Sequence, residues 1–166
     1  MDLDGLVKLI QLPPGFEPPR TLAFEGIVAE ALSREHLADD VAGINASLDL
    51  IGATRGGGWP TGPTTDDEDF IDLVWHECEF RDRKSYSYAL FRSEGGYLGC
   101  AYFYPVGIRT PLSPAIADCD IDVSWWVTPD GHEDGYYDRT YRALQTWSTT
   151  AFPFTRPHFS NVVIPD

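Results

Sequence analysis

The chain has 166 residues and is 43% hydrophobic, which is enough for one compact domain over 1–166 with a real core. Twelve basic against 26 acidic residues leave a net charge of −14, which argues against nucleic acid, where affinity comes from Lys and Arg neutralising phosphates. No apolar run approaches the roughly 18 residues of a membrane span. The acidic start Met1-Asp-Leu-Asp lacks the basic region of a signal peptide, so a cytoplasmic setting is expected, with no membrane partner. Cys78, Cys100 and Cys119 are odd in number, widely spaced and without metal-like spacing to a His, and read as free thiols; no metal site is expected. The acidic balance suits a cationic partner such as an amine, and equally serves solubility. A monomer or homodimer acting on a small molecule fits these bounds.

In chain order, residues 1–20 give a short element around Leu6–Leu12 and a proline-rich connector through Pro13-Pro14-Gly15 and Pro18-Pro19. Thr21–Leu32 reads as a first strand despite Gly26. Ser33 reads as an N-cap, with Leu37, Val41, Ile44 and Leu48 on one face of a helix over 36–50. The loop Gly52–Thr64 carries Gly56-Gly57-Gly58-Trp59-Pro60 but lacks the ending and the preceding strand of a phosphate loop. Its Trp59 either anchors the loop to the core or lines a pocket. Thr65-x-x-Glu68 is a capping box opening a helix over 66–83, with Phe70, Leu73, Val74 and Phe80 predicted inward. Ser85–Phe91 and Tyr97–Tyr104 read as strands joined by the Ser93–Gly96 turn. After a loop over Pro105–Pro114, Asp118–Val127 alternates strictly. Asp118, Asp120, Asp122 and Ser124 share one face and Ile121, Val123, Trp125 and Val127 the other, the pattern of a half-buried strand. The turn Thr128-Pro-Asp-Gly131 leads to an amphipathic helix over 134–150, and His158–Ile164 can form a last strand.

Val127-x-Pro129-x-x-His132-x-x-Gly135-x-Tyr137 resembles the V-x-P-x-x-[Q/R]-x-x-G-x-[G/A] pattern after the fourth strand of GNAT-type acetyltransferases. Val127, Pro129 and Gly135 match it; His132 and Tyr137 depart from it. Leu98-Gly99-Cys100 resembles the family's third strand, where a small residue admits close packing. The element order β-α-α-β-β-β-α-β over about 21–164 is the family's order. The resemblance implies a three-layer α/β fold, a central mixed sheet with helices on both faces, short of the helix and two strands that usually follow the fifth strand. The family's catalytic Tyr in that later helix has no counterpart here.

The resemblance also implies acetyl-CoA as donor, lying between the splayed fourth and fifth strands. Its phosphates would meet the amides from Gly131 to Tyr137, so that Trp126, Val127, Gly131, His132, Gly135, Tyr136 and Tyr137 are the cofactor candidates. A helix N-terminus favours an anion by up to ~2 kcal/mol. Glu133 and Asp134 stand in the same turn, and a carboxylate ~6 Å from a phosphate charge costs about 2.8 kcal/mol at an effective dielectric of 20. Capping the helix accounts for both residues without any ligand. For the acceptor step an amine must lose a proton. Crowding of Asp118, Asp120 and Asp122 can raise a carboxylate into the range of a base, with Asp122 first and Asp120 second. A solvated face, or pairing with Arg92 or Arg109, accounts for them equally. Tyr136, Tyr104, His76 and His132 are further acid or base candidates. The expected function is N-acyl transfer from acetyl-CoA to an amine; the alternative is a non-catalytic binding or interaction domain of the same fold that has lost the cofactor.

Overall fold

The computed structural model describes Leu3 and residues 5–166, so Met1, Asp2 and Asp4 of the acidic start lie outside the described residues. Leu3 and residues 5–20 form no helix or strand; Lys8 bridges to Val106, and its ammonium donates to the Ala117 and Cys119 carbonyls. The expected first strand is two, β1 (Thr21–Phe24) and β2 (Ile27–Ala31), paired antiparallel. Glu25 and Gly26 turn between them with φ of 32° and 85°, the two positive values that a tight hairpin requires, so Gly26 marks a turn rather than a flaw in a strand.

Ser33 caps a 3-10 turn over Arg34–His36 that runs into α1 (Leu37–Ala46). The helix expected over 36–50 breaks at Ser47, whose hydroxyl donates to the Gly43 carbonyl, and α2 (Leu48–Thr54) follows. The Thr65–Glu68 capping box opens α3 (Asp66–Arg81) as predicted. Leu73 and Phe80 of α3 are buried, but Phe70 is exposed and shares an apolar surface groove with Ile71, Val74, Trp75 and Cys78, which corrects the inward assignment of Phe70 and Val74.

The remaining strands are β3 (Tyr86–Arg92), β4 (Tyr97–Tyr104), β5 (Ile121–Val127) and β6 (Pro157–Phe159). The sheet runs in the order β1 to β6, antiparallel except for the parallel pair β5 and β6, so the sheet is mixed and six-stranded. Gly99 is necessary where β4 meets β5: a Cβ there would lie 2.1 Å from the Trp126 carbonyl oxygen, the close approach that the small residue was expected to allow. Between β5 and β6, α4 (Pro129–Glu133) and α5 (Tyr136–Thr150) are separated by Gly135 in the left-handed conformation.

Both faces of the sheet are covered. Ile121, Val123, Trp125 and Val127 pack with Leu144 and Trp147 of α5, while Trp126, Cys100 and Tyr102 pack with Ile44, Ile51 and Leu73 of α1, α2 and α3. All seven residues of β5 are therefore buried, and the half-buried strand expected from its alternation is a central one. The alternation sorts side chains between two interiors, not between core and solvent.

Candidate active site

β5 and β6 stay in register only from Ile121 to Val123. The Ser160 amide makes the last bond of the pair, to the Val123 carbonyl, and the strands then part. Beyond that point Asn161, nearly fully buried, takes the place of a strand: its Oδ1 accepts from the Trp125 N–H at 3.1 Å and its Nδ2 donates to the Trp125 carbonyl at 2.9 Å. Nδ2 also donates to the Tyr137 hydroxyl at 2.9 Å, and that hydroxyl donates to the Val163 carbonyl at 2.6 Å. The Tyr137 ring lies 4.7 Å from His132 and 5.0 Å from Trp125. The divergence between β5 and the chain after β6 is thus filled by the protein's own side chains.

At the strand-to-helix turn, the Thr128 side chain accepts from the Gly131 amide and its carbonyl from the His132 amide, with Pro129 at the first helical position where no amide is needed. Gly131 is packed so closely that a Cβ would lie 2.3 Å from Val127. The Asp134 and Gly135 amides bond to Asp130 and His132 carbonyls. Of the amides from Gly131 to Tyr137, those of Tyr136 and Tyr137 begin α5 and have no carbonyl within it to meet. Asp134 pairs with Arg92 at 2.7 Å, so a cation from the end of β3 stands at a turn that holds no Lys or Arg of its own. Glu133 is exposed. The His132 ring has an unpartnered buried Nε2, and burial holds its pKa below the ordinary value.

Trp126 and Val127 are fully buried, and the Trp126 indole N–H donates to the Tyr102 hydroxyl at 2.9 Å. Tyr136 lies on the α5 face of the sheet between the guanidiniums of Arg92 and Arg139, at 4.8 and 4.5 Å. This places its ring on the sheet face opposite to Asp122, Ser124 and Trp126, away from the aspartate candidate.

The three-aspartate crowding is also corrected. β5 starts at Ile121, and Asp118 is exposed and pairs with Arg156 at 3.5 Å. Asp120 is engaged by the Thr155 amide and hydroxyl and by the Arg156 amide, and so fastens a turn rather than serving as a base. Asp122 is fully buried: its Oδ1 accepts from the Ser160 hydroxyl at 2.7 Å and its Oδ2 has no partner. Its pKa is raised by burial, against the pull of Ser160 and Arg109, and not by the neighbouring aspartates.

On the face that α2 and α3 cover, a cavity of about 500 Å³ is lined by Arg55, Trp59, Asp72, Trp75, His76, Glu79, Tyr102, Tyr104, Ile108 and Arg109 among others. Trp59 does both things expected of it, packing on the core cluster and lining this cavity. The cavity abuts the divergence of β5 and β6, because Arg55 Nε donates to Ser124 at 3.2 Å and Arg109 Nε to Ser160 at 3.0 Å. His76 contacts Ser87 through Nδ1 at 3.0 Å and Asp72 through Nε2 at 3.3 Å. Burial pushes the Tyr104 hydroxyl up to about 12. Arg55 escaped the sequence reading, and Arg109 entered it only as a possible partner of the aspartates. The two arginines lie 69 and 51 residues from the serines that position them, and no motif surrounds them.

Solved structures share this architecture. The chain superposes on the ribosomal-protein-S5-alanine acetyltransferase of Vibrio fischeri with a TM-score of 0.58 at 8% identity, over 79% of this chain and 68% of that one. It superposes on the ribosomal L7/L12 α-N-protein acetyltransferase RimL, solved with coenzyme A, with a TM-score of 0.59 at 13% identity, over 81% of this chain and 70% of the other. For the microcin C7 self-immunity acetyltransferase MccE, solved with acetyl-CoA and AMP, the values are 0.56 and 10%, over 76% and 65%. No family model matches the sequence, and no curated protein matches it. At these identities the likeness is one of fold. The chain has the mixed-sheet α/β fold of the GNAT acetyltransferases.

Proposed function

We propose that the protein is a GNAT-type N-acyltransferase that moves an acetyl group from acetyl-CoA to a small-molecule amine held in the aromatic cavity. The observation that carries this reading is that the cavity adjoins the parting of β5 and β6, since Arg55 and Arg109 on its lining donate to Ser124 and Ser160. The unpaired amides that open α5 follow the far end of β5. The donor's phosphates would meet the amides of Tyr136 and Tyr137, with Asp134 screened by Arg92, and the thioester would lie beside Trp125 and Trp126. Among the acid and base candidates, His76 and Tyr104 line the cavity and Asp122 does not. As the amine nitrogen attacks the thioester carbonyl, His76 takes the amine's proton. Tyr104, held protonated by burial, gives its proton to the leaving thiolate. The test is thiol release from acetyl-CoA in the presence of a panel of amines: release that depends on both the amine and Tyr104 supports the reading.

One observation favours a second reading, a non-catalytic binding domain of the same fold. Asn161, Tyr137 and Val163 occupy the divergence that a cofactor arm would need. A protein that binds no acetyl-CoA at any accessible concentration, yet takes a ligand in the cavity, would fit that reading instead.

A further inference from the structure

The cavity holds two guanidiniums that no carboxylate among the described residues meets at ion-pair distance. Arg55 is only 5% exposed, yet no carboxylate among the described residues lies at ion-pair distance from it. Its Nε is fixed by Ser124 and its guanidinium lies 4.1 Å from the Tyr102 ring centre. That contact recovers part of the cost of burying a cation, and no more. Its two terminal nitrogens donate to no described protein group and are not among the sealed polar atoms, so they face the cavity that Arg55 lines. Arg109 lies beside it: one terminal nitrogen donates to the Arg55 carbonyl at 2.9 Å, Nε to Ser160, and the other terminal nitrogen has no hydrogen-bond partner among the described residues. Burial first and the Arg55 charge second hold the Arg109 guanidinium below its usual range, with the Asp122 charge opposing them. Asp122 lies beyond Ser160 and pairs with neither arginine.

Of the other charged residues on the lining, Lys84 is exposed and the two carboxylates are answered locally. Asp72 meets His76, and Glu79 accepts from the Ser85 hydroxyl. The walls between are aromatic and apolar, from Trp59, Trp75, Tyr104 and Ile108, and the volume lies in the range of small-molecule sites, roughly 300–1,000 Å³. In a chain of net charge −14, two cations gathered on the lining of an aromatic cavity are the opposite of what the overall balance would place there.

We infer that the cavity binds a carboxylate carried on an aromatic or bulky apolar body, with the carboxylate on Arg55 and Arg109 and the body between Trp59 and Trp75. Guanidinium forks match the two oxygens of a carboxylate. This names the acceptor class for the acyltransferase reading and rests on that reading only for the word acceptor. An α-amino acid with a large side chain would place its amine next to the carboxylate, at the parting of β5 and β6.

The test is calorimetric titration of the whole chain, without acetyl-CoA, using 3-indolepropionate and tryptamine, which share the ring and differ in the charged group. The acid is expected to bind saturably and tryptamine at least tenfold more weakly. Arg109→Gln and Arg55→Gln are each expected to weaken the acid about 10- to 100-fold, the range for losing a hydrogen bond to a charged group, and to leave tryptamine unchanged. Tryptamine binding as well as the acid, no binding of the acid at millimolar concentration, or unaltered acid binding in both folded variants overturns the inference. Should the variants not fold, the acid-against-amine comparison on the unaltered protein decides alone. Acid binding with no turnover of acetyl-CoA removes the acyltransferase reading and leaves this one standing. Turnover of tryptamine with no acid binding does the reverse.

Discussion

The Asn161 side chain completes the backbone hydrogen bonding of Trp125, accepting from its N–H and donating to its carbonyl where a neighbouring strand would otherwise do both. The next residues continue the closure, with Tyr137 donating to Val163 and the Val163 amide donating to the Thr54 carbonyl. The segment after β6 therefore joins β5, α2 and α5.

Asn161→Ala tests the strength of that join. It leaves both backbone groups of Trp125 buried without partners, and each such group costs about 1–3 kcal/mol. A loss of stability in that range or somewhat above is expected in urea denaturation. A loss below about 0.5 kcal/mol would mean that water replaces the side chain freely.

A second expectation concerns pH. Asp69 is sealed against Asp40 between α3 and α1, and burial first, then the Asp40 charge, push its carboxyl up to about 8. Burial also raises Asp40, while hydrogen bonds from Tyr97 and Cys100 of β4 and the His76 charge pull it down. Asp66 and Asp72 add to the rise at Asp69. The folded state then holds a proton that the unfolded chain releases near pH 4, so stability falls as pH rises from about 4 through about 8 and levels off above. Asp69→Asn removes the ionisation and should flatten that fall. An equal decline between pH 5 and pH 8.5 in variant and wild type would place its origin elsewhere.

A third expectation separates Tyr104 from Asp122 in the chemistry. Tyr104→Phe should lower turnover with an amine by about 10²-fold or more with little change in KM, the size of a positioned acid. Asp122→Asn, buried behind Ser160, should lower it far less. The reverse order would restore the buried carboxylate as the base and remove Tyr104.

Much of this fold is legible in the sequence because its signals are local. The Thr65–Glu68 box, the Ser33 cap, the alternation of 121–127 and the stripe of α5 each lie within one element. What escaped depends on distance. Alternation in β5 cannot distinguish solvent from a second core, because α1, α2 and α3 come from far upstream to cover the aspartate face. Arg92 pairs with Asp134 from 42 residues away, which no count of charges within the turn can show. Gly26 was legible and misread: Glu-Gly between two apolar runs is a hairpin signal. The place of Arg55 and Arg109 in the cavity was not legible, since serines on two other segments hold them there.

The central claim is that the parting of β5 and β6 is an acyl-CoA site narrowed by the Tyr137 ring. It is tested most directly by calorimetric titration of acetyl-CoA into wild type and Tyr137→Ala. Alanine keeps α5 intact where glycine would cost up to ~1 kcal/mol, and it opens the space between His132 and Trp125. We expect weak binding by wild type and binding at least about tenfold tighter by the variant, a difference of some 1.4 kcal/mol. Tight binding by wild type that the variant does not improve would contradict the narrowing. Absence of binding in both would contradict the site itself.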